Sequence, residues 1–404
     1  MSSSEERPQP VRMISLCAMV QGVAGGLGWS LLPPLMPLMA PDLGLSHAAG
    51  GVAWGAAALG MAIGSPVGGV LVDRHGARRL VGGALVAAAL ACAARALVVG
   101  PWGLALVMLA FGLAVGCGAP ALPKVLAAHV PAAQLARANG LVMLAYTLGT
   151  AATVLSARSL LVPVFGGWRP VMAVAGLSIA LAAGVFAWLV RERVAPARPR
   201  LAQMVSLARD PQMLRVACMY ALVFGGYLAL FGLLPRGLTE RGLATSQVGR
   251  VVAAWLASAA LGNLLGPWLS DRIGRRRPVM AMGAALAAIA LVSVALAGER
   301  RAMWLLLFAS FGGGCLTPLL LTAPLEMKDI GFARGGAAIG FMLLVGQLAG
   351  FAVSVLAGLA MELGGLSTAL GLAAVVYGSM LLPWIGLLET GHARGRTVAG
   401  ASKA

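Results

Sequence analysis

The chain has 404 residues, 60% of them hydrophobic and only 11% charged, with a mean hydropathy of +0.90. A soluble domain is nearer half apolar and a quarter charged, so this composition excludes a water-soluble core and requires lipid as the solvent. The net charge of +17 would suggest nucleic acid in a soluble protein. Here the arginines cluster at alternate ends of apolar segments, and no basic domain interleaved with aromatics is left over, so nucleic acid is not an expected partner.

Met1 to Pro10 is polar and acidic, and no small-x-small pattern follows the first apolar run; that run is expected to remain as a helix. A crossing helix needs about 20 mainly apolar residues. On that measure the first six predicted spans fall at 13–36, 48–72, 79–99, 102–124, 138–162 and 168–190. The second six fall at 213–235, 248–270, 278–298, 302–325, 335–361 and 366–388. The predicted organisation is an N-terminal tail (1–12), a six-helix bundle (13–190), a linker (191–212), a second six-helix bundle (213–388) and a C-terminal tail (389–404). The linker opens with RERVAPARPR, basic and interrupted by proline, as a tether between bundles should be.

Placing the N-terminus inside leaves Arg95, Arg158, Arg169, Arg236, Arg241, Arg250, Arg300 and Arg301 at or near outer ends, and puts the other 22 of the 30 Lys and Arg on the cytoplasmic side. Both termini are therefore expected to be cytoplasmic, in the inner membrane of the cell.

The two bundles repeat each other. Gly64, Gly68, Asp73, Arg74, Gly76, Arg78 and Arg79 recur 198 residues on as Gly262, Gly266, Asp271, Arg272, Gly274, Arg276 and Arg277. Gly44-Leu45 matches Gly242-Leu243, and Gly116-Cys117 and Pro120 match Gly314-Cys315 and Pro318, all in the same register. A duplicated six-helix unit implies a pseudo-symmetric pair that can open a midplane cavity to either side in turn.

GGVLVDRHGARR (Gly68 to Arg79) resembles the signature loop of the major facilitator superfamily, G-x-L-a-D-R-x-G-R-K, and GPWLSDRIGRRR (Gly266 to Arg277) is its second copy. The resemblance covers the length, the twelve spans, the central linker and the paired loops. It implies the major facilitator fold, an all-α membrane protein of twelve transmembrane helices in two pseudo-symmetric bundles. It also implies a secondary transporter, not an enzyme, working by alternating access. The gating residues it implies are Gly68, Gly69, Asp73, Arg74, Gly76, Arg78 and Arg79, with Gly266, Asp271, Arg272, Gly274 and Arg276 in the second loop. Gly68 and Gly69 allow close helix approach, and Asp73 can cap a positive helix N-terminus. The family implies that this helix is the eleventh span, near Arg334-Gly335-Gly336, while Asp271 would serve the fifth near Ala138-Asn139. Ala77 stands where a basic residue is usual, and Pro267 where the first copy has Gly69, which makes the second loop the expected weaker latch.

GGLGWSLLPPLMP and LPKVLAAHVPAAQLARANGL resemble the nitrate/nitrite, cyanate and oxalate–formate or monocarboxylate branches. Nitrate porters carry substrate arginines within spans two and eight; here the second span has none and Arg250 lies only at the outer start of the eighth, so the resemblance disfavours nitrate itself. In this family spans one, four, seven and ten surround the substrate. Near their middles lie Gln21, Trp29, Cys117, Tyr220, Tyr227 and Thr317, with Tyr146, Asn263 and Gln347 on adjoining spans. A polar side chain in lipid is costly unless paired or wetted; hydrogen bonding between helices is the competing role for each. None of the 13 acidic residues is placed at mid-bilayer. The ionisable candidates are Arg95, Arg158, Lys124 and Glu326, and Arg158 is singled out because a guanidinium can hold a carboxylate in two hydrogen bonds. Gly167-Trp168-Arg169 reads as an outer interfacial anchor.

The five cysteines lie within apolar segments without metal-type spacing, and no phosphate-binding loop or catalytic constellation is present, so no cofactor or metal is expected and a gradient must supply the energy. The expected partners are a small-molecule substrate, lipid and a co-transported or exchanged ion, with the chain acting as a monomer. The substrate class is a small organic solute, with an organic anion as the leading case and efflux of drug-like compounds as the alternative. A non-transporting sensor or scaffold and a membrane enzyme are the remaining classes.

Overall fold

The computed structural model describes residues 10–190, 206–297, 304–327 and 330–390. Most of both predicted tails and of the linker lies outside the described residues, as do the side chains of Asp73, Lys124, Arg137 and Arg334. Among the described residues there is no strand, as lipid demands: without water, backbone groups must be satisfied within the helix that carries them.

Eleven helices among the described residues are long and apolar enough to cross a membrane: Pro10–Leu43, His47–Val72, Ala77–Leu97, Pro101–Gly118, Ala138–Phe165, Trp168–Leu189, Pro211–Glu240, Thr245–Ile273, Arg277–Ala297, Leu305–Glu326 and Gly336–Ile385. The last is 50 residues long and breaks at Gly364 and Gly365, where φ reaches +68° at Gly365. It therefore supplies the predicted eleventh and twelfth spans, and the chain has the twelve passes expected. Helices also outrun the apolar stretches. The seventh starts at Pro211, where the Asp210 carboxylate accepts the backbone N–H groups of Gln212 (2.8 Å) and Met213 (3.1 Å), an N-cap that hydropathy does not register.

The first span is not uniform. An α-helix over Pro10–Val20 gives way to a π-helix over Gln21–Trp29, and α-geometry returns at Leu32–Leu43. Pro33 and Pro34 fall in the first turn of that last piece, where a missing N–H removes no helix bond.

The chain forms two compact units. One comprises Met1–Met39 and Leu59–Pro199; the other comprises Ala40–Ala58 and Arg200–Ala404. The short segment Ala40–Ala58, N-terminal in sequence, thus packs with the C-terminal spans.

Within each unit the second-copy register reappears as packing. A Cβ on Gly64 would strike the carbonyl of Leu113, and one on Gly68 the carbonyl of Cys117. Their partners 198 residues on do the same: a Cβ on Gly262 would strike the carbonyl of Phe311, and one on Gly266 would lie 2.6 Å from the Cα of Cys315. From the other side, a Cβ on Gly116 would lie 2.8 Å from the Cα of Met61, and Gly314 meets the Ala259 carbonyl. One turn away, Gly60 lies against Leu109, and its counterpart Ser258 donates its hydroxyl to the Leu307 carbonyl at 2.7 Å. In both units the second and fourth spans of a six-helix set touch backbone to backbone, which is where lipid-embedded helices gain most of their attraction.

Because the opposing atoms at Gly64 are backbone and cannot swing aside, Gly64→Val should destabilise the detergent-solubilised protein by about 1–3 kcal/mol. Gly371→Ala, where a Cβ meets nothing within 4 Å, should leave the thermal midpoint unchanged or slightly raised. Equal midpoints for wild type and Gly64→Val would contradict this seam.

Candidate functional site: a buried guanidinium and two arginine loops

Glycine shapes the N-terminal unit around the first span. A Cβ on Gly26 would lie 2.8 Å from the Cα of Gly149, and one on Gly149 would lie 2.6 Å from the Gly22 carbonyl oxygen. The first and fifth spans are therefore pressed together along the π-helical stretch. A π-turn spreads its carbonyls away from the regular ladder, and at Gly28 a side chain takes up the freed acceptor. Arg95 donates from Nη1 to the Gly28 carbonyl at 2.8 Å, with its guanidinium 4.1 Å from the centroid of the Phe111 ring.

Arg95 is fully buried. Its chain position is the outer end of the third span, yet the side chain turns into the bundle instead of reaching out of it. Its Nε and Nη2 atoms, also buried, have no hydrogen-bond partner among the described residues. These two atoms form the side-on edge with which arginine grips a carboxylate in two parallel bonds. A buried cation with one carbonyl and one ring for company is expensive to keep, and such groups mark functional sites in membrane proteins.

The other sequence candidates in this unit are distributed unevenly. Gln21 and Tyr146 converge on Gly25, whose added Cβ would meet both side chains. One turn along the fifth span, buried Thr150 accepts the hydroxyl of buried Ser30 at 3.0 Å, a pair that the sequence reading did not single out. Trp29 is buried beside Phe111, with ring centroids 6.4 Å apart, and so flanks Arg95. Cys117 belongs to the seam against Gly64 and Gly68. Arg158 sits half-buried in a second π-helical turn, Ala157–Leu161. Trp168 is buried rather than facing lipid, and Arg169 donates to the carbonyls of Ala96 (2.8 Å) and Val98 (2.9 Å), closing the end of the third span.

In the C-terminal unit Tyr227 is stacked on Trp255 (5.1 Å) and Phe231 (6.2 Å), and Phe231 meets Trp54 at 5.8 Å. Tyr220 is buried against Phe224 and Gly346. Gln347 is buried on the eleventh span, Asn263 is exposed, and Thr317 returns its hydroxyl to the Gly313 carbonyl of its own helix at 3.3 Å. The segment Ala40–Ala58 is held onto this unit by polar contacts at the far end from the arginine loops. Trp54 Nε1 donates to the Leu228 carbonyl at 2.8 Å, Arg236 donates to the carbonyls of Leu45 and Ser46, and the Ala48 N–H donates to Glu362 at 3.0 Å. Glu240 holds Arg236 at 2.9 Å and lies 3.6 Å from His47 Nε2. Sequence reading placed no carboxylate at mid-bilayer but could not pair these two.

The two signature loops differ in what they grip. In the first, Gly76 turns the chain at φ +81°, Arg74 and Arg79 are exposed, and Arg78 donates from Nε (2.9 Å) and Nη2 (2.6 Å) to the Ala187 carbonyl at the end of the sixth span. A Cβ on Gly69 would meet nothing. In the second, Gly274 turns at φ +75° and Arg272 lies over the Trp268 ring. Arg276 is buried between Asp271 and Glu326, 2.8 Å from the latter, and Ser270. Hydrogen bonding to Glu326, and then to Asp271, raises the Arg276 pKa against the opposing effect of burial. A raised cation pKa adds stability that is complete below the unfolded-state pKa and is lost only as pH rises through the still higher folded-state one, so this network should not titrate through Arg276 at any physiological pH.

Glu326→Gln removes the less exposed partner of Arg276 and should lower stability by about 1–3 kcal/mol. Asp271→Asn, on a side chain 60% exposed, should cost clearly less. Thermal midpoints measured in detergent would check the order; Asp271→Asn as the more damaging change would contradict the assignment of Glu326 as the main partner.

The sequence matches the family model of the Major Facilitator Superfamily over residues 18–352. The chain is 32% identical to the probable nitrate/nitrite transporter NarK2 of Mycobacterium tuberculosis, over 65% of this chain and 67% of that protein. It is 26% identical to the gallate transporter of Pseudomonas putida, over 89% of this chain and 87% of that one. Among solved structures its fold is similar to a bacterial homologue of the human lysosomal transporter Spinster (TM-score 0.74, 15% identity, 95% of both chains). It is similar also to the D-xylose-proton symporter (TM-score 0.74, 17% identity, 94% and 98%). Repeated arginine loops, glycine seams, twelve passes and these likenesses lead to one conclusion: the chain is a membrane-spanning member of the Major Facilitator Superfamily.

Proposed function

We propose that this protein is a secondary active transporter that carries a small organic anion across the cytoplasmic membrane by alternating access, as a monomer with both termini in the cytoplasm. The observation that carries the anion assignment is Arg95, buried in the N-terminal unit with its carboxylate-binding edge unpartnered. A fixed positive charge in a low-dielectric surround attracts an anion far more strongly than it would in water. The π-helical Gln21–Trp29 stretch, which supplies the Gly28 carbonyl, sets the direction of the guanidinium.

Two of the relatives carry anions by name, nitrate/nitrite and gallate. A carboxylate is favoured over nitrate because Arg250 is exposed, bonded through Nε to its own helix at Ser246, and because the second span offers no arginine.

A thermal-shift screen of the purified protein tests the reading, since a ligand that binds only the folded state raises its midpoint. Gallate and other small carboxylates should stabilise the wild type. Arg95→Gln should weaken that response about tenfold or more, the loss of a charge-assisted pair of roughly 1.5–3 kcal/mol, and Arg95→Lys should retain part of it. A carboxylate response that survives Arg95→Gln intact would contradict the proposal.

A further inference from the structure

The internal repeat allows the two halves to be compared position by position, and one difference points to a ligand. In the second half, the ninth span begins at Arg277, and the carboxylate of Glu389 sits on its start. The Arg276 N–H donates to Glu389 at 2.7 Å and the Arg277 N–H at 3.3 Å. Trp384 fills the adjoining space, its ring 4.6 Å from the Arg277 guanidinium and its Nε1 bonded to the Arg277 carbonyl. The chain thus supplies its own anion where the first-turn amides of a helix need one.

In the first half the matching sequence position carries no carboxylate, and it lies outside the described residues. The residue 198 positions before Glu389 is Arg191, a cation, and the one before Trp384 is Phe186. Between the start of the third span and the end of the sixth lies a cleft of about 410 Å³ lined by Arg78, Arg79, Gly82, Gly83 and Ala187. A Cβ added at Gly82 or Gly83 would meet nothing within 4 Å among the described residues, so this wall of the cleft is bare backbone. Arg78 donates Nε and Nη2 to the Ala187 carbonyl, and that bond fixes the guanidinium across the cleft.

The flanks of the cleft identify the source of the anion. Val86 and Leu90 on the third span, and Leu181, Val185 and Trp188 on the sixth, are exposed by 39–81%. On each helix these residues recur at i, i+3 or i+4 spacing, forming an apolar stripe that leads away from the arginines along the span. In a membrane such a stripe faces acyl chains, and basic pockets between spans on the cytoplasmic side suit lipid headgroups. We propose that this cleft binds the phosphate of an anionic phospholipid, which occupies in the first half the role that Glu389 plays in the second. A bound headgroup would tie the third span to the sixth beside the signature loop. The inference does not depend on the anion transport proposed above, because it concerns a different face of the protein.

Native mass spectrometry of the full-length protein, solubilised from phosphatidylglycerol–phosphatidylethanolamine membranes, tests it. Phosphatidylglycerol should be retained in preference to phosphatidylethanolamine. Arg79→Gln, which spares the bond to Ala187, should reduce that retention roughly fivefold, and Gly83→Leu, which fills the cleft, should do the same. Arg275→Gln removes one charge from the loop of the second half and should change nothing. Gel-filtration profiles identify any variant that fails to fold, and the lipid preference of the wild type stands as a separate test. Equal retention of both lipids by the wild type, unchanged retention in the folded variants, or displacement of the lipid by millimolar inorganic phosphate alone would overturn the assignment.

Discussion

The second and fourth spans of each half can meet only because glycine stands at the crossing points. Lipid provides no hydrophobic drive between helices, so attraction must come from backbone atoms brought within van der Waals reach, and a single Cβ at Gly64 or Gly262 would prevent it. The same economy of side chains lets the first span lie against the fifth at Gly22, Gly26 and Gly149. From that contact follow the π-helical stretch, the displaced Gly28 carbonyl and the position of Arg95. The candidate anion site is in this sense a consequence of helix packing rather than an addition to it.

Duplication gives the two halves the same frame and leaves them free to differ at its ends. Ser258 replaces Gly60 and turns a bare contact into a hydrogen bond. Arg276 finds Glu326, whereas the position 198 residues before Glu326 is Ala128, and Arg78 turns instead to a carbonyl. In the second loop, which carries Pro267, Arg276 joins Asp271 and Glu326 in one ion-pair network; the Asp73 side chain of the first loop lies outside the described residues. The frame is conserved by geometry, while the charges placed on it diverge.

Much of the fold was legible in the sequence because hydropathy, the arginine bias and the repeat all report on the solvent. Span positions agree to within several residues: Asp210 caps a helix that starts before the apolar run, and the break at Gly364-Gly365 falls between the predicted eleventh and twelfth spans. The site was less legible. Arg95 and Arg158 looked alike as cations in the outer parts of their spans; the π-turn that draws Arg95 inward depends on where Gly149 falls on another helix. Cys117 looked like a cavity residue by span and depth, but its backbone is the floor of the glycine seam. The attachment of Ala40–Ala58 to the C-terminal spans rests on partners such as Trp54 and Leu228, 174 residues apart, a pairing that no local pattern encodes.

A carrier that alternates between two sides differs from a pore or a silent scaffold in one direct way: solute leaving on one side speeds entry of the same solute from the other. Counterflow measures this. Proteoliposomes holding the purified protein would be preloaded with an unlabelled carboxylate that it binds, then diluted into a trace of the radiolabelled form with no ion gradient imposed. The account predicts a transient accumulation of label above its final equilibrium level, and a monotonic approach to equilibrium, or no entry at all, would contradict it.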